Sequence, residues 1–203
     1  NVTFYINTGK PTIHLLNPKH NSYTNNTGIN FTYIHSSGLA MNYCELWGDF
    51  SGNFSLNQTD NSIESGQQNL FSLVLGEGTY NWTIFCADTS GNSSTTGNRT
   101  FHVDFTPPNV SINSPSGTYS ENDNIPLNFS VVDASPIELC TFELFKNGQL
   151  LVTVIVDCKS STTLNLAAAN YAMDLNAQDA ARNTGSSSTS FSVQGTSGGA
   201  SGG

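Results

Sequence analysis

The chain has 203 residues, of which 36% are apolar and only 10% are charged, and its 6 basic and 15 acidic side chains give a net charge of −9. A typical soluble domain has about 25% charged residues, so neutral polar side chains must provide most of the solubility. The acidic balance excludes nucleic-acid binding by counterion release. The most apolar stretch, residues 150–156, is far shorter than the roughly 20 residues of a membrane span.

The first predicted element is a donor-type strand within residues 1–9. Its residues are Thr3, Phe4, Tyr5, Ile6 and Asn7, and Phe4 and Ile6 form an apolar pair on one side of the strand. Such a spacing is typical of a half-buried strand, and a strand alone cannot satisfy its backbone groups. Three hosts remain open: the edge of its own domain, a preceding repeat that has been removed, or, as we favour, a sheet of a neighbouring copy.

Residues 10–105 form the first predicted domain. Apolar side chains recur at every second position, as in Ile29, Phe31 and Tyr33, and Gly, Asn, Ser and Pro clusters separate the short runs. A stiff linker follows, because Pro107 and Pro108 fix the backbone and remove two donors.

Residues 106–194 form the second predicted domain, and residues 195–203 are a Gly/Ser-rich tail. The second domain repeats the first. Residues 11–18 match residues 108–115, Cys44 matches Cys140, and the closing strand at residues 100–104 matches residues 190–194. The repeat therefore predicts one β-sandwich of about seven strands, present twice.

The stretches GTYNWTIFCADTSGN at residues 78–92 and NRTFHVDFTPPNVSINSP at residues 98–115 carry a family resemblance. They closely resemble the tandem immunoglobulin-like repeats of archaeal and some bacterial cell-surface proteins. The resemblance covers residues 10–194 and implies an all-β fold of two tandem immunoglobulin-like β-sandwich domains, with the N-terminal strand as an extra element. It also implies an extracellular, cell-surface location, in which such repeats serve as spacers, adhesins or filament subunits.

Four cysteines predict two disulfides and an oxidising compartment. We expect Cys44 to pair with Cys86 and to tie two strands through the core of the first domain. In the second domain Ala177 stands at the position that matches Cys86, so Cys158 is the remaining partner for Cys140. A strict two-residue turn at residues 147–148 would place Cys140 opposite Ile155, so this bridge needs a bulge or a longer turn.

Ten Asn-x-Ser/Thr sequons make N-linked glycans an expected modification. They begin at Asn1, Asn25, Asn30, Asn53, Asn57, Asn81, Asn92, Asn98, Asn109 and Asn128. Strand alternation places Asn30, Asn81 and Asn128 on the solvent side.

Other binding chemistry is weakly indicated. The four histidines match no catalytic motif, so we expect no enzymatic activity and no cofactor. Asp88 and Asp179 lie beside tight turns and, with Asp104, are a calcium alternative, but closure of the turns by Asx hydrogen bonds is favoured. Trp47, Phe50 and Phe54 are the alternative platform for cell-surface glycans, although packing is the favoured role.

The sequence thus favours a structural subunit of an extracellular filament, which is pilus-like or thread-like and assembles head-to-tail with itself by donating its N-terminal strand. The alternative is a spacer or adhesin segment of a longer cell-surface protein. No nucleic-acid partner is expected.

Overall fold

A computed structural model describes residues 9–159 and 161–195. Within these residues the protein has seventeen strands and no helix, which confirms the predicted all-β class. The donor-type strand at residues 3–7 and most of the Gly/Ser-rich tail lie outside the described residues. The chain divides into two compact units, Asn1–Phe105 and Thr106–Gly203, which we call the first and second domains.

The first domain is a sandwich of two sheets, which are antiparallel except for one parallel pair at the edge of the larger sheet. Its strands are β1 (Thr12–Asn17), β2 (Ser22–Thr24), β3 (Gly28–Ser36), β4 (Met41–Gly48), β5 (Ser55–Asp60), β6 (Gln68–Val74), β7 (Gly78–Asp88), β8 (Ser93–Thr95) and β9 (Arg99–Val103). One sheet has the order β1-β3-β6. The other has the order β2-β9-β7-β4-β5, with β8 also paired to β7.

The second domain has the same strand order. Its strands are β10 (Asn109–Ser114), β11 (Gly117–Ser120), β12 (Ile125–Val132), β13 (Ile137–Lys146), β14 (Gln149–Val156), β15 (Thr162–Leu164), β16 (Ala169–Asp179) and β17 (Thr184–Gln194). The sheets are β10-β12-β15 and β11-β17-β16-β13-β14. The single strand β17 occupies the place of β8 and β9, so the sequence repeat corresponds to a repeat of structure.

Aromatic packing dominates the core of the first domain. Trp82, Phe31 and Phe101 are fully buried. The Phe31 ring meets the Trp82 ring edge-on at 5.1 Å and the Phe101 ring at 5.7 Å between centroids. Aromatic side chains bury large areas in such contacts. The period-two alternation of β3 and β7 accounts for half of the buried residues of this core.

His35 is a buried polar group in the same core. It lies on β3, none of its side chain is exposed, and neither ring nitrogen reaches a hydrogen-bond partner of ordinary geometry. Burial lowers the pKa of His35, with a smaller opposing effect from the backbone of Glu64. The folded domain therefore binds this proton less readily than the unfolded chain, whose histidine pKa is about 6.5.

This depressed pKa predicts a loss of stability in acid. Well above pH 6.5 the histidine is neutral in both states and contributes no pH dependence. As the pH falls through about 6.5, the unfolded state takes up the proton first, so the free energy of unfolding falls. Urea unfolding at pH 8 and pH 5, followed by tryptophan fluorescence, should show this fall in the wild-type protein. The His35→Leu variant should show a smaller one. An equal acid loss in both would contradict the assignment to His35.

The turns contain the residue types that their backbone conformations require. Asn147 and Gly148 join β13 to β14 with positive φ values of 49° and 83°, the backbone of a type I′ hairpin. A register shift then occurs after Leu144, so that Cys140 faces Val156 and not Ile155. This irregularity supplies one of the extra residues that the second disulfide needs.

Candidate functional site

The first disulfide joins two neighbouring strands of one sheet. Cys44 of β4 lies directly opposite Cys86 of β7, with a Cα–Cα distance of 4.1 Å. Both residues are fully buried. The expected tie through the core is therefore corrected to a cross-strand bridge within a sheet, because antiparallel pairing already places the two residues side by side.

The second disulfide joins β13 to the segment after β14. Cys140 and Cys158 have a Cα–Cα distance of 5.5 Å. Cys158 lies two residues beyond Val156, the strand partner of Cys140. The bridge therefore holds the outermost strand of this sheet against its neighbour at the end opposite the hairpin.

Most sequons lie on the solvent side. Seven of them have an exposed asparagine: Asn25, Asn30, Asn53, Asn57, Asn98, Asn109 and Asn128. Asn81 does not follow the expectation, because it is half-buried and its amide nitrogen donates to Asp49 Oδ2 at 2.8 Å. The Asn92 amide donates to Asp88 Oδ2 in the same manner. Asn1 lies outside the described residues.

The two turn aspartates close their turns with Asx hydrogen bonds, as favoured from the sequence. Asp88 Oδ1 accepts the backbone N–H groups of Ser90 and Asn92, both at 2.9 Å. The hydrogen bond from the Asn92 amide is the largest cause of the lowered pKa of Asp88. Asp179 accepts two hydrogen bonds from Asn183 in the same way.

The three candidate platform aromatics have different roles. Phe50 packs on Phe31 inside the first domain at 5.1 Å between ring centroids. The Trp47 indole N–H donates to Glu45 Oε2 at 2.8 Å, whereas Phe54 is exposed. Because Phe50 belongs to the core, the structure gives no support for a glycan platform made of all three.

The edge strand β14 is unusually apolar. It is the outermost strand of its sheet, and most of its side chains are apolar and exposed: Leu150, Leu151, Val152, Val154 and Ile155. It has no charged residue and no proline, whereas the matching edge strand β5 reads SLNQTD. Proteins usually protect edges with charge, proline or short strands, so β14 is an unprotected edge.

The opposite sheet of the second domain lacks part of a strand. In the first domain β6 pairs with seven consecutive residues of β3, from Gly28 to Ile34. In the second domain β15 pairs only with Ile125, Pro126 and Leu127 of β12. Residues 128–132 of β12 pair with β10 on one side; on the other side no strand is paired with them among the described residues.

This gap leaves the core of the second domain partly uncovered. Phe31 and Tyr33 of the first domain are fully buried, but Phe129 and Val131, at the matching positions, are only half-buried. A groove of about 540 Å³ opens beside the Val131 and Val132 end of this gap. Its lining is partly apolar, with Val131, Ile137, Ile155 and Val156, and partly charged, with Asp133, Glu138, Asp157 and Lys159.

Comparison with solved structures identifies the fold. A structure of the fibronectin(III)-like modules of Clostridium thermocellum CbhA matches over 91% of this chain and 95% of the solved chain, with a TM-score of 0.54 and 13% identity. The chain has the fibronectin III-like sandwich fold. The chicken CNTN1 FN1–FN3 domains match 87% of this chain and 65% of theirs, with a TM-score of 0.49 and 12% identity.

A solved chain from a 1.5-MDa bacterial ice-binding adhesin matches over 93% of this chain and 67% of the solved chain, with a TM-score of 0.45 and 14% identity. No family model matches the sequence, and no curated protein matches it. Among the described residues no helix has the length and apolar character that crossing a membrane requires.

Proposed function

We propose that this protein is a structural, non-catalytic subunit of an extracellular filament, in which each copy donates residues 3–7 to a sheet of the next copy. The observation that carries this proposal is the open edge of β12 in the second domain, where residues 128–132 have a strand on one side alone among the described residues. A strand with Phe4 and Ile6 on one face is the chemical complement of such an edge, because strand addition satisfies backbone groups and buries the alternate side chains.

The donated strand must add to an edge, because each domain already has its own closing strand. β9 pairs along β7 in the first domain, and β17 pairs along β16 in the second. Donation from the N-terminal segment of one copy to an edge of another is a heterologous contact, which builds an open filament whenever its rotation does not close a ring.

An extracellular location agrees with the two disulfides, which persist in oxidising compartments. We further propose that the exposed sequons carry N-linked glycans. Such glycans would solvate a surface that has few charges.

Removal of residues 1–8 tests the donor role, because it leaves every described strand in place. The full chain should assemble into filaments visible by electron microscopy, and the truncated chain should remain a folded monomer by light scattering. Phe4→Asp combined with Ile6→Asp should abolish assembly in the same way. Tyr5→Asp alone, on the opposite face of the strand, should allow it. Filaments from the truncated chain would refute donation through this segment.

The second candidate is a spacer segment of a longer surface protein, which the tandem arrangement of two sandwich domains favours. The same experiment separates the two functions. A spacer would be monomeric both with and without residues 1–8.

A further inference from the structure

The first domain shows what belongs in the gap of the second domain. There β6 runs antiparallel to β3 and places Phe71 directly opposite Phe31. Phe71 is buried, while its neighbours Leu70 and Ser72 are exposed. A strand at this position therefore needs an alternating pattern whose inward side chains are large and apolar.

The gap in the second domain has a defined length. It begins at Asn128, just after the last residue paired with β15, and ends at Val132, the last residue of β12. Five residues of a partner strand fill this length. A longer partner would meet Thr162, which already pairs with Leu127.

Residues 3–7 match these requirements in length and in pattern. They number five, they include no charged side chain, and their apolar members Phe4 and Ile6 are two positions apart. The closing strand of each domain has the same Phe-x-apolar pattern. Its apolar side chains are buried in both domains: Phe101, Val103, Phe191 and Val193. A segment with this pattern therefore suits the interior of such a sandwich.

We infer that the gap beside residues 128–132 of β12 is the acceptor site for residues 3–7 of a second copy of the chain. This inference rests on the proposed filament function. The donated strand lies antiparallel to β12, as β6 lies to β3. Phe4 then faces Val131 and Ile6 faces Phe129, while Tyr5 lies opposite Ser130 on the solvent side.

The gap competes with the other edges of the second domain, of which β10 and β14 are the longest. β14 offers apolar side chains, but a strand added beyond it would leave Phe129 and Val131 as uncovered as before. Occupancy of the gap covers both residues, and the groove adjoins the gap at Val131 and Val132. The acceptor is therefore the missing strand position itself, and β14 forms one wall of the groove.

Cysteine cross-linking distinguishes the three positions. Tyr5→Cys is combined in turn with Ser130→Cys at the gap, Ser111→Cys on β10, or Thr153→Cys on β14; all three acceptor residues are exposed. Ser111 lies directly across from Ser130, so it is two strand spacings, about 10 Å, from a strand in the gap. That distance exceeds the reach of a disulfide.

We expect an intermolecular ladder on a non-reducing gel only for the Tyr5→Cys, Ser130→Cys protein, with the linked peptides identified by mass spectrometry. A link at Ser111 or Thr153, or no link in protein that still forms filaments, would overturn the gap as acceptor while leaving donation intact. Assembly without residues 1–8 would instead overturn the proposed function.

A second measurement needs no engineered cysteine. A synthetic peptide of residues 1–8, added to the chain that lacks them, should slow amide hydrogen exchange at residues 128–132. It should leave residues 30–34 of the first domain unchanged, because β6 already covers them. A peptide with Phe4→Asp and Ile6→Asp is the control and should have no effect. Equal slowing at both segments, or at neither, would contradict the assignment.

Discussion

Replacing Cys44 and Cys86 together with alanine should lower the free energy of unfolding of the first domain by about 4 kcal/mol in the chain-entropy model. The bridge closes a loop across a sequence separation of 42 residues. It is also fully buried, so the substitution leaves two small cavities in the core. Urea unfolding followed by tryptophan fluorescence measures this loss, because both tryptophans, Trp47 and Trp82, belong to the first domain.

The second bridge provides the matched control. Cys140→Ala with Cys158→Ala opens a loop with a sequence separation of 18, so the second domain should lose about 3 kcal/mol. The transition seen by tryptophan fluorescence should then stay near its wild-type position. A shift as large as that of the first variant would show that the two domains do not unfold separately, and the assignment of the loss to one domain would fail.

Much of the fold is readable from the chain because its signals are local. Alternation along β3 and β7 identifies which side chains are buried, and the Asn147–Gly148 pair identifies a hairpin. The Asp88 and Asp179 turns follow from the hydrogen bonds that an aspartate makes to residues close by in sequence. Each of these signals lies within a few residues of the structure that it specifies.

The misses come from contacts between segments that are distant in sequence. The alternation of β7 predicts that Asn81 faces solvent. In the structure its backbone N–H and its side-chain amide donate to the carboxylate of Asp49, which is distant in sequence, and the residue is half-buried. Alternation also gives the shared face of Cys44 and Cys86 but not their direct pairing, since register is set by the whole length of β4 and β7.

The gap in the second domain is of the same kind. A sequence pattern can indicate only a strand that is present. β15 is shorter than the matching strand β6, and nothing in the sequence indicates the absent part. Only the pairing of β12 shows that five of its residues have a strand on one side alone among the described residues. The repeat hid this difference, because β12 and β3 have nearly the same alternation.

Alanine substitutions at Phe31 and Phe129 should lower the free energy of unfolding of their domains by different amounts. Phe31→Ala removes a fully buried ring with three aromatic neighbours and should cost the first domain about 4 kcal/mol. Phe129→Ala removes a half-buried ring and should cost the second domain about 2 kcal/mol, because solvent already reaches the side chain. Hydrogen exchange resolved by peptide gives the opening free energy of each domain separately.

The cost at Phe129 should also depend on assembly. In the chain without residues 1–8 the ring stays half-buried and the smaller loss applies. In filaments the donated strand covers it with Ile6, so the same substitution should approach the cost at Phe31, because burial determines how much free energy a deleted ring removes. The cost at Phe31 should be the same in both states and serves as the internal control. Equal costs at Phe129 in monomer and filament would mean that no strand enters the gap.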